Sequence, residues 1–173
     1  MTTSTPIARA LRLPALLVAL GASAAACETM DTGAAMSESG HTPAEEAKIA
    51  DVIAFYEAAI NDKDIEAARA YIGDDYIQHN PVAADGISGL EGFVGFLAST
   101  APESRSTIEA AYIDGDHVIL HVHSNRPEGT PGRAIVDIFR LDENGKVVEH
   151  WDVIQEIPET SANDNGMFYG DDD

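Results

Sequence analysis

The apolar residues of this chain change their spacing at Pro102, and this change restricts the fold more than any other feature. Before Pro102 they recur every three or four residues, which is typical of amphipathic helices. After it they alternate with polar residues, which is typical of strands with one buried face. Helices followed by a run of strands predict an α+β domain in which the helices cover one face of a bent antiparallel sheet and enclose a pocket.

Three helices are predicted before Pro102. The first begins at Thr42-Pro43-Ala44-Glu45, a capping box with proline at the first helical position. A second, short helix is predicted from Ile65 to Ile72, with Asp62 or Asp64 as its cap and Gly73 at its end, and a third follows the capping box Ser88-Gly89-Leu90-Glu91. The apolar stripe of the first helix comprises Ile49, Val52, Ile53, Tyr56 and Ile60.

Four strands are predicted after Pro102. Asp114-Gly115 and Asn144-Gly145 lie between two pairs of them and are typical of tight hairpins, because these residue types tolerate positive φ. The sheet is therefore predicted to be antiparallel, with neighbours in sequence lying side by side. The predicted strands are Ser106 to Ile113, His117 to Ser124, Arg133 to Leu141 and Lys146 to Glu156.

Residues 1–27 have the layout of a secretory signal peptide, with Arg9 and Arg12 ahead of an apolar run from Leu13 to Leu20 and small residues up to Cys27. The run is shorter than the roughly 20 apolar residues that a spanning helix needs. The segment LGASAAAC resembles a bacterial lipoprotein signal, in which the cysteine is acylated. The alternative is ordinary cleavage with Cys27 incidental. Both interpretations predict export to the bacterial cell envelope, periplasmic or lipid-anchored.

The remaining chain divides into three parts. Residues 28–41 are small and polar and predict a flexible tether, residues 42–158 form the folded domain, and residues 159–173 form an acidic tail. The apolar Met167-Phe168-Tyr169 in this tail predicts docking on the domain or on a second subunit, and the alternative is a frayed terminus.

The composition excludes several classes of function. The chain has 10 Lys and Arg against 30 Asp and Glu, a net charge of -20, which argues against nucleic acid as a partner. A membrane contact is predicted only through the N-terminal lipid. The single Cys27 excludes an internal disulfide framework and cysteine-clustered metal sites, so a metal would need His and carboxylate ligands. No organic cofactor is predicted.

Three segments carry a family likeness. YIQHNP at Tyr76 to Pro81, DIFR at Asp137 to Arg140 and GKVVEHWDVIQ at Gly145 to Gln155 resemble the SnoaL-like polyketide cyclase branch of the NTF2-like superfamily. The likeness spans Glu45 to Pro158. It implies a curved-cone α+β fold with a deep pocket for a small hydrophobic ligand or substrate, and a homodimer formed through the outer face of the sheet.

The resemblance also directs attention to carboxylates. In the cyclases an acidic pocket residue acts as acid and base in an intramolecular aldol closure, near the end of the last long strand. Gln155 occupies that neighbourhood here and does not exchange a proton near neutral pH, so Asp137 and Asp152 remain as catalytic candidates. Strand alternation places Asp137 among large apolar residues, where burial raises the pKa of a carboxyl group. The alternative is that Asp137 pairs with an arginine or caps a neighbouring backbone group.

His150 joins these candidates, because it lies two residues before Asp152 and projects on the same side of the last strand. The two could share a proton or hold a water against a substrate carbonyl. Predicted binding residues are His79 and Asn80, which in the resembled family reach the pocket mouth and could stabilise an oxyanion; the alternative is that both bond loop backbone. The other predicted binding residues are Tyr56, Trp151 and Gln155. Tyr56 is predicted to donate a phenolic hydrogen bond. Trp151 is predicted to form a pocket wall if a bulge reverses the strand, and to lie in the core otherwise.

A metal site is a further alternative. His121 and His123 project on one side of a strand, and with His79, His150 and a carboxylate they could bind zinc or iron, although such pairs also occur on solvated faces. Three functions therefore stay open. The first is a cofactor-independent enzyme that acts by acid/base catalysis, of the aldol/cyclase, isomerase or lyase type, on a small hydrophobic carbonyl compound. The second is a non-catalytic ligand-binding module of the cell envelope. The third is a metal-dependent enzyme.

Overall fold

A computed structural model of the protein describes residues 40–168. The predicted signal segment, Cys27 and most of the predicted tether lie outside the described residues, as do residues 169–173 of the tail. The helices are α1 (Pro43–Tyr56, extended by a π-helical turn Glu57–Asn61), α2 (Ile65–Ala68, extended by a 3-10 turn Arg69–Tyr71) and α3 (Gly86–Thr100). The strands are β1 (Ile72–Gln78), β2 (Ser106–Asp114), β3 (His117–Ser124), β4 (Arg133–Leu141) and β5 (Val147–Glu156).

The start of α1 is as predicted. The side chain of Thr42 accepts a hydrogen bond from the backbone N–H of Glu45, and the Glu45 carboxylate accepts one from the backbone N–H of Thr42 at 2.7 Å. This reciprocal capping satisfies two N–H groups that a helix start otherwise leaves unpaired. The stripe that follows buries Val52 and Tyr56, together with Phe55, against the sheet.

The capping box predicted at Ser88 is wrong. The helix α3 begins at Gly86 with Asp85 as its N-cap, so Ser88 already lies in the first turn. The Asp85 carboxylate makes no side-chain capping hydrogen bond to α3 and instead accepts the backbone N–H of Gln78 at 2.8 Å. A tertiary contact that joins β1 to α3 therefore replaces the local cap.

The four predicted strands correspond to β2, β3, β4 and β5, and each pair of neighbours is antiparallel, as predicted. A fifth strand, β1, begins at Ile72, where the sequence predicted the end of a helix. It pairs in parallel with β5, so the sheet order is β1-β5-β4-β3-β2. The edge strand β1 is therefore parallel to its neighbour, while the other pairs are antiparallel. The fold class is otherwise as predicted, a mixed α+β domain in which helices cover one face of a curved sheet.

The inner face of this sheet carries the core. Val118, Leu120 and Val122 of β3 are fully buried and alternate with half-buried residues that face the other way. A bulge interrupts β5, because Arg140 pairs with Glu149 while Leu141 pairs with Val147, which leaves Val148 as the extra residue. From residue 149 onward the alternation of β5 is unbroken, so His150 and Asp152 share the inner face.

The outer face is partly covered by the tail. The ring of Phe168 lies 4.8 Å from the ring of His123 and 5.0 Å from that of His121, on the side of β3 opposite the core. Of the two predicted interpretations of the tail, docking on its own domain is therefore the one observed for the described part. In the described range 40–168, no helix is long and apolar enough to cross a membrane.

Candidate functional site

A cavity of about 170 Å³ lies between α1, α3 and the inner face of β1, β4 and β5. Its walls are mainly aromatic and aliphatic, and its polar groups cluster on the two strands β4 and β5 and on the segment that follows β1. The apolar walls include Phe55, Ile60, Leu90, Phe93, Ile135 and Phe139. The polar groups include Tyr56, Tyr76, Gln78, Asn80, Asp137, His150 and Asp152.

A larger cavity of about 570 Å³ lies under the tail, against His123. Its walls are mostly loop and tail residues between Ile157 and Phe168, and it lacks a cluster of buried titratable groups. Perturbed titratable groups mark functional sites better than volume does. We therefore place the candidate site in the smaller cavity.

Asp137 and His150 form a buried pair at the centre of this cavity. The residue Asp137 is 5% exposed and the residue His150 is 8% exposed, and Oδ1 of Asp137 lies 3.1 Å from Nε2 of His150. The imidazole is stacked on the ring of Phe139, with centroids 4.8 Å apart. The sequence prediction that Asp137 lies among apolar side chains on the pocket side is confirmed. The alternative that Asp137 pairs with an arginine is wrong, because the polar side chain that Asp137 contacts is His150.

Burial raises the pKa of Asp137 above its usual value, and the hydrogen bond between Asp137 and His150 only partly opposes this shift. The ionised Asp152 nearby raises it further. The second oxygen of Asp137, Oδ2, is buried and has no hydrogen-bond partner. A carboxyl group in this setting is stabilised in its protonated form, which is the form that can donate a proton at neutral pH.

The hydrogen bonds of Gln78 determine which nitrogen of His150 carries a proton. The amide oxygen of Gln78 accepts the backbone N–H of Asn80 at 2.8 Å, and a backbone N–H is only a donor, so this atom must be the oxygen. It lies 3.0 Å from Nδ1 of His150, which therefore donates to it. Nε2 is left facing Oδ1 of Asp137, so the proton that the raised pKa keeps on Asp137 lies between the two side chains.

Asp152 is held by Asn80. Nδ2 of Asn80 donates to Oδ2 of Asp152 at 2.6 Å, while Oδ1 of Asn80 accepts the backbone N–H of Val82 at 2.9 Å. Asp152 is only half-buried and lines the cavity, so it is the carboxylate of the site that a bound molecule can reach. Asn80 thus occupies the cavity, as predicted, and positions a carboxylate.

Two tyrosines complete the polar lining. Tyr56 lines the cavity from α1, as predicted, and Tyr76 lines it from β1. Burial raises the pKa of both phenols, so both remain protonated donors. Sequence reasoning missed Tyr76 and Gln78 as site residues. The signal that could have found them is the alternation within YIQHNP, which places Tyr76, Gln78 and Asn80 on one side.

Three predicted binding residues lie away from the cavity, and the structure corrects their placement. Nε2 of His79 lies 2.8 Å from Oε1 of Glu149, and its ring is stacked on Trp151 with centroids 4.7 Å apart, both on the outer side of the sheet. Trp151 is not a pocket wall, because the bulge in β5 comes before it. Gln155 is exposed and pairs in the sheet with Ala134, beyond the cavity.

The mixed histidine metal site is not assembled. His121 and His123 face the outer side beneath Phe168, whereas His150 faces the cavity, so these side chains lie on opposite faces of the sheet. The residues that the structure does bring together are Asp137, His150 and Asp152, whose potential ligand atoms all lie within 4.8 Å of one another. Carboxylate and imidazole ligands of this kind suit a divalent transition metal.

Comparison with known proteins agrees with this geometry. The family model described as the SnoaL-like domain matches residues 52–150, more than half of the chain. This chain belongs to the SnoaL-like domain family. The match to the SnoaL-like domain includes Asp137 and His150, and Asp152 lies just beyond it. No curated protein shows a significant match.

Solved structures place the SnoaL-like domain among NTF2-like folds. A putative SnoaL-like polyketide cyclase from Jannaschia is 20% identical, with 66% of this chain and 90% of that chain covered and a TM-score of 0.54. IdmH, a putative polyketide cyclase from Streptomyces antibioticus, is 22% identical, with coverage of 62% and 91% and a TM-score of 0.52. An NTF2-like protein of unknown function from Cytophaga hutchinsonii is 15% identical, with coverage of 62% and 89% and a TM-score of 0.50. Identities this low establish a shared fold.

Proposed function

We propose that this SnoaL-like domain catalyses proton transfer on a small hydrophobic carbonyl compound, without an organic cofactor, in a reaction of the aldol/cyclase, isomerase or lyase type. The observation that supports the proposal is the hydrogen-bonded pair of Asp137 and His150 beside Asp152, in a cavity with mostly apolar walls. The volume of about 170 Å³ limits the reacting part of the substrate to about one ring, since a cavity of about 150 Å³ holds benzene.

The two carboxyl groups have different roles, one as a base and the other as part of an acid. Asp152 is reachable from the cavity and is held by the amide of Asn80, so it removes a proton from the carbon next to the carbonyl. The pair of Asp137 and His150 holds one shared proton and delivers it toward the carbonyl oxygen as the enolate forms. When the surroundings of two carboxyl groups differ in this way, one group commonly acts as the acid and the other as the base.

A ligand-binding module is the second candidate. The apolar walls favour it, because they can hold a hydrophobic compound whether or not a proton is transferred. In that case the hydrogen-bonded pair would only orient the ligand. Substitution of Asp152 separates the two candidates, since it removes catalysis from an enzyme and leaves binding largely intact in a carrier.

The test is exchange of carbon-bound hydrogen in deuterated water. Phenylacetone is the probe, and loss of the proton signals next to its carbonyl is followed by NMR with the full chain. We expect exchange above the buffer rate, reduced about 100-fold or more in Asp152→Asn and in His150→Gln. The matched control is His117→Gln, at the exposed start of β3, which should exchange like wild type. Exchange that is no faster than in buffer, or that Asp152→Asn leaves unchanged, contradicts the proposal.

We also propose that the protein is exported and that Cys27 carries a lipid. The composition of residues 1–27 and the segment LGASAAAC support this proposal. Labelling of cells with radioactive palmitate should mark the protein, and Cys27→Ser should lose the label. Export without labelling would leave the ordinary signal peptide as the explanation, and retention in the cytoplasm would contradict both.

A homodimer through the outer sheet face is proposed as well. Three large apolar residues of that face are exposed, namely Tyr112 at 45%, Val136 at 38% and Val153 at 69%. Neighbouring exposed apolar residues of this kind mark contact surfaces. Sedimentation should give a dimer that Val153→Glu converts to monomer, whereas Val82→Glu, on the loop after β1, should leave it dimeric. A wild-type monomer would contradict the proposal.

A further inference from the structure

Arg126 lies at the border between two cavities. It contributes to the cavity that contains Asp137 and His150, and also to a second cavity of about 540 Å³ beside the end of α3. Arg133 is the other residue that lines both. The two cavities therefore share two guanidinium groups in their walls, in a chain whose net charge is -20.

The two guanidinium groups differ in their partners. Nε of Arg133 donates to the Glu156 carboxylate at 2.7 Å, so its charge is already neutralised. Arg126 makes one hydrogen bond, from Nε to the hydroxyl of Ser124 at 3.3 Å. In the described part of the chain, no carboxylate forms an ion pair with Arg126, and its terminal nitrogens have no acceptor.

The other arginines of the described part each have a strong acceptor. Arg69 pairs with Glu66 and Glu91, Arg140 pairs with Glu149, and Nη1 of Arg105 donates to two backbone carbonyls. The chain has 30 acidic residues, yet among residues 40–168 none forms an ion pair with Arg126. Asp137, whose charge acts on Arg126 through space, has His150 as its hydrogen-bond partner.

The unpaired charge of Arg126 is costly. The residue is half-buried, and burial is the main cause that lowers the pKa of its guanidinium group. A charge that is removed from water without a counter-charge destabilises a fold unless a ligand supplies the partner. The planar fork of donors in a guanidinium group matches the two oxygens of a carboxylate.

We infer that Arg126 binds a carboxylate of the substrate, so that the compound taken by this cavity is a small hydrophobic oxo acid. The inference rests on the proposed function, because it takes the cavity around Asp137 as the substrate site. The apolar part of the oxo acid lies between α1 and β4, its carbonyl faces Asp152 and His150, and its carboxylate lies at the border of the second cavity. The acidic chain repels anions in general, so this one cation provides selectivity at short range.

The test compares two probes that differ in charge alone. Benzoylpropionate carries a ketone and a carboxylate, and benzoylpropionamide replaces the carboxylate with a neutral amide. Binding of each to the full chain is measured by calorimetry. We expect the carboxylate to bind at least about tenfold more tightly than the amide, since a charge-assisted bond is about twice as strong as a neutral one.

Substitution of Arg126 completes the test. Arg126→Met should weaken binding of the carboxylate by about 10-fold to 100-fold and change binding of the amide by less than about threefold. Arg126→Lys keeps the charge and should restore part of the preference, which also covers a failure of Arg126→Met to fold. Arg69→Met is the control, because it removes the same charge from an exposed ion pair away from both cavities.

The inference is overturned if benzoylpropionate does not bind, if it binds no better than the amide, or if Arg126→Met weakens both probes alike. Its failure is distinguishable from failure of the proposed function. Hydrogen exchange of the neutral phenylacetone depends on Asp152 and not on Arg126, so exchange without carboxylate preference rejects this inference only. Carboxylate preference without exchange rejects the catalytic proposal only.

Discussion

Asp137 and Asp152 lie directly opposite each other across β4 and β5, on the face of the sheet that lines the cavity. Like charges at such positions repel, so the carboxylate of Asp152 disfavours ionisation of Asp137. Burial favours the protonated form of Asp137, whereas Asp152 is half-buried and accepts a hydrogen bond from Asn80. This difference in surroundings separates an acid from a base within one pair of strands.

Asp137→Asn should stabilise the fold at neutral pH while it removes proton transfer. The pKa of Asp137 in the folded state is raised above its ordinary value of 3.8, so its contribution to wild-type stability is fully present below that pH and is lost as pH rises through the folded-state pKa. The neutral amide avoids this loss and can still donate to Nε2 of His150. The gain at pH 8 should be about 1.4 kcal/mol for each unit of pKa difference, and should vanish near pH 3.

Urea unfolding of both proteins at the two pH values checks this prediction. An asparagine variant that is as stable as wild type at pH 3 but less stable at pH 8 would show that Asp137 stabilises the fold when ionised.

Asn80→Asp should lower the rate of hydrogen exchange by about 100-fold. The new carboxylate keeps the oxygen that accepts the Val82 N–H, so the turn persists, but it replaces the donor to Asp152 with a second negative charge. Asn80→Ser tests the turn separately, because a hydroxyl can accept the same N–H without adding charge. If the serine variant loses as much activity as the aspartate variant, loss of the Nδ2 donor to Asp152 and not charge repulsion explains both.

Gln78→Met should lower the rate of hydrogen exchange by about 10-fold or more. The variant removes the oxygen that accepts from Nδ1 of His150 and from the backbone N–H of Asn80, so the imidazole loses the partner that positions it. Gln78→Glu keeps an acceptor for both groups and should retain more of the rate. Exchange rates measured with phenylacetone distinguish the two variants, and a wild-type rate in Gln78→Met would exclude a role for Gln78 in positioning His150.

Gly89→Ala should destabilise the fold by about 2 kcal/mol or more. A Cβ at this position in α3 would lie 2.0 Å from the carbonyl oxygen of Ala84, a backbone atom that cannot move aside cheaply. Gly92 of the same helix has no atom within 4 Å of an added Cβ, so Gly92→Ala should stabilise by about 0.5 to 1 kcal/mol. Thermal unfolding of the two variants checks both signs, and equal effects would contradict the packing of α3 against residue 84.

Much of the site could be predicted from the sequence, because strand alternation is a local property. It placed Asp137 on the buried side of β4, and His150 and Asp152 on one side of β5, and the structure brings these three side chains together. The alternation could not reveal β1. Its residues Gly73 and Asp74 are poor strand formers, and the strand forms through parallel pairing with β5, which is distant in sequence.

The same distance explains the errors in the predicted binding residues. The side to which His79 points depends on how β1 pairs with β5, and the side to which Trp151 points depends on the position of the bulge at Val148. Neither property is encoded within a few residues. Arg126 was missed for a related reason, because a cation without a partner is recognisable only when its surroundings are known.

The sequence by itself determined the order of the helices and of β2 to β5, the hairpin turns, and the faces on which Asp137, His150 and Asp152 lie, since these follow from spacing, capping residues and glycine within short windows. The tertiary structure decided the parallel edge strand, the tautomer of His150 through Gln78, the separation of Asp137 from Asp152 in exposure, and the unpaired Arg126. These depend on contacts between residues far apart in the chain, where burial and hydrogen bonding, and not local propensity, determine the energy.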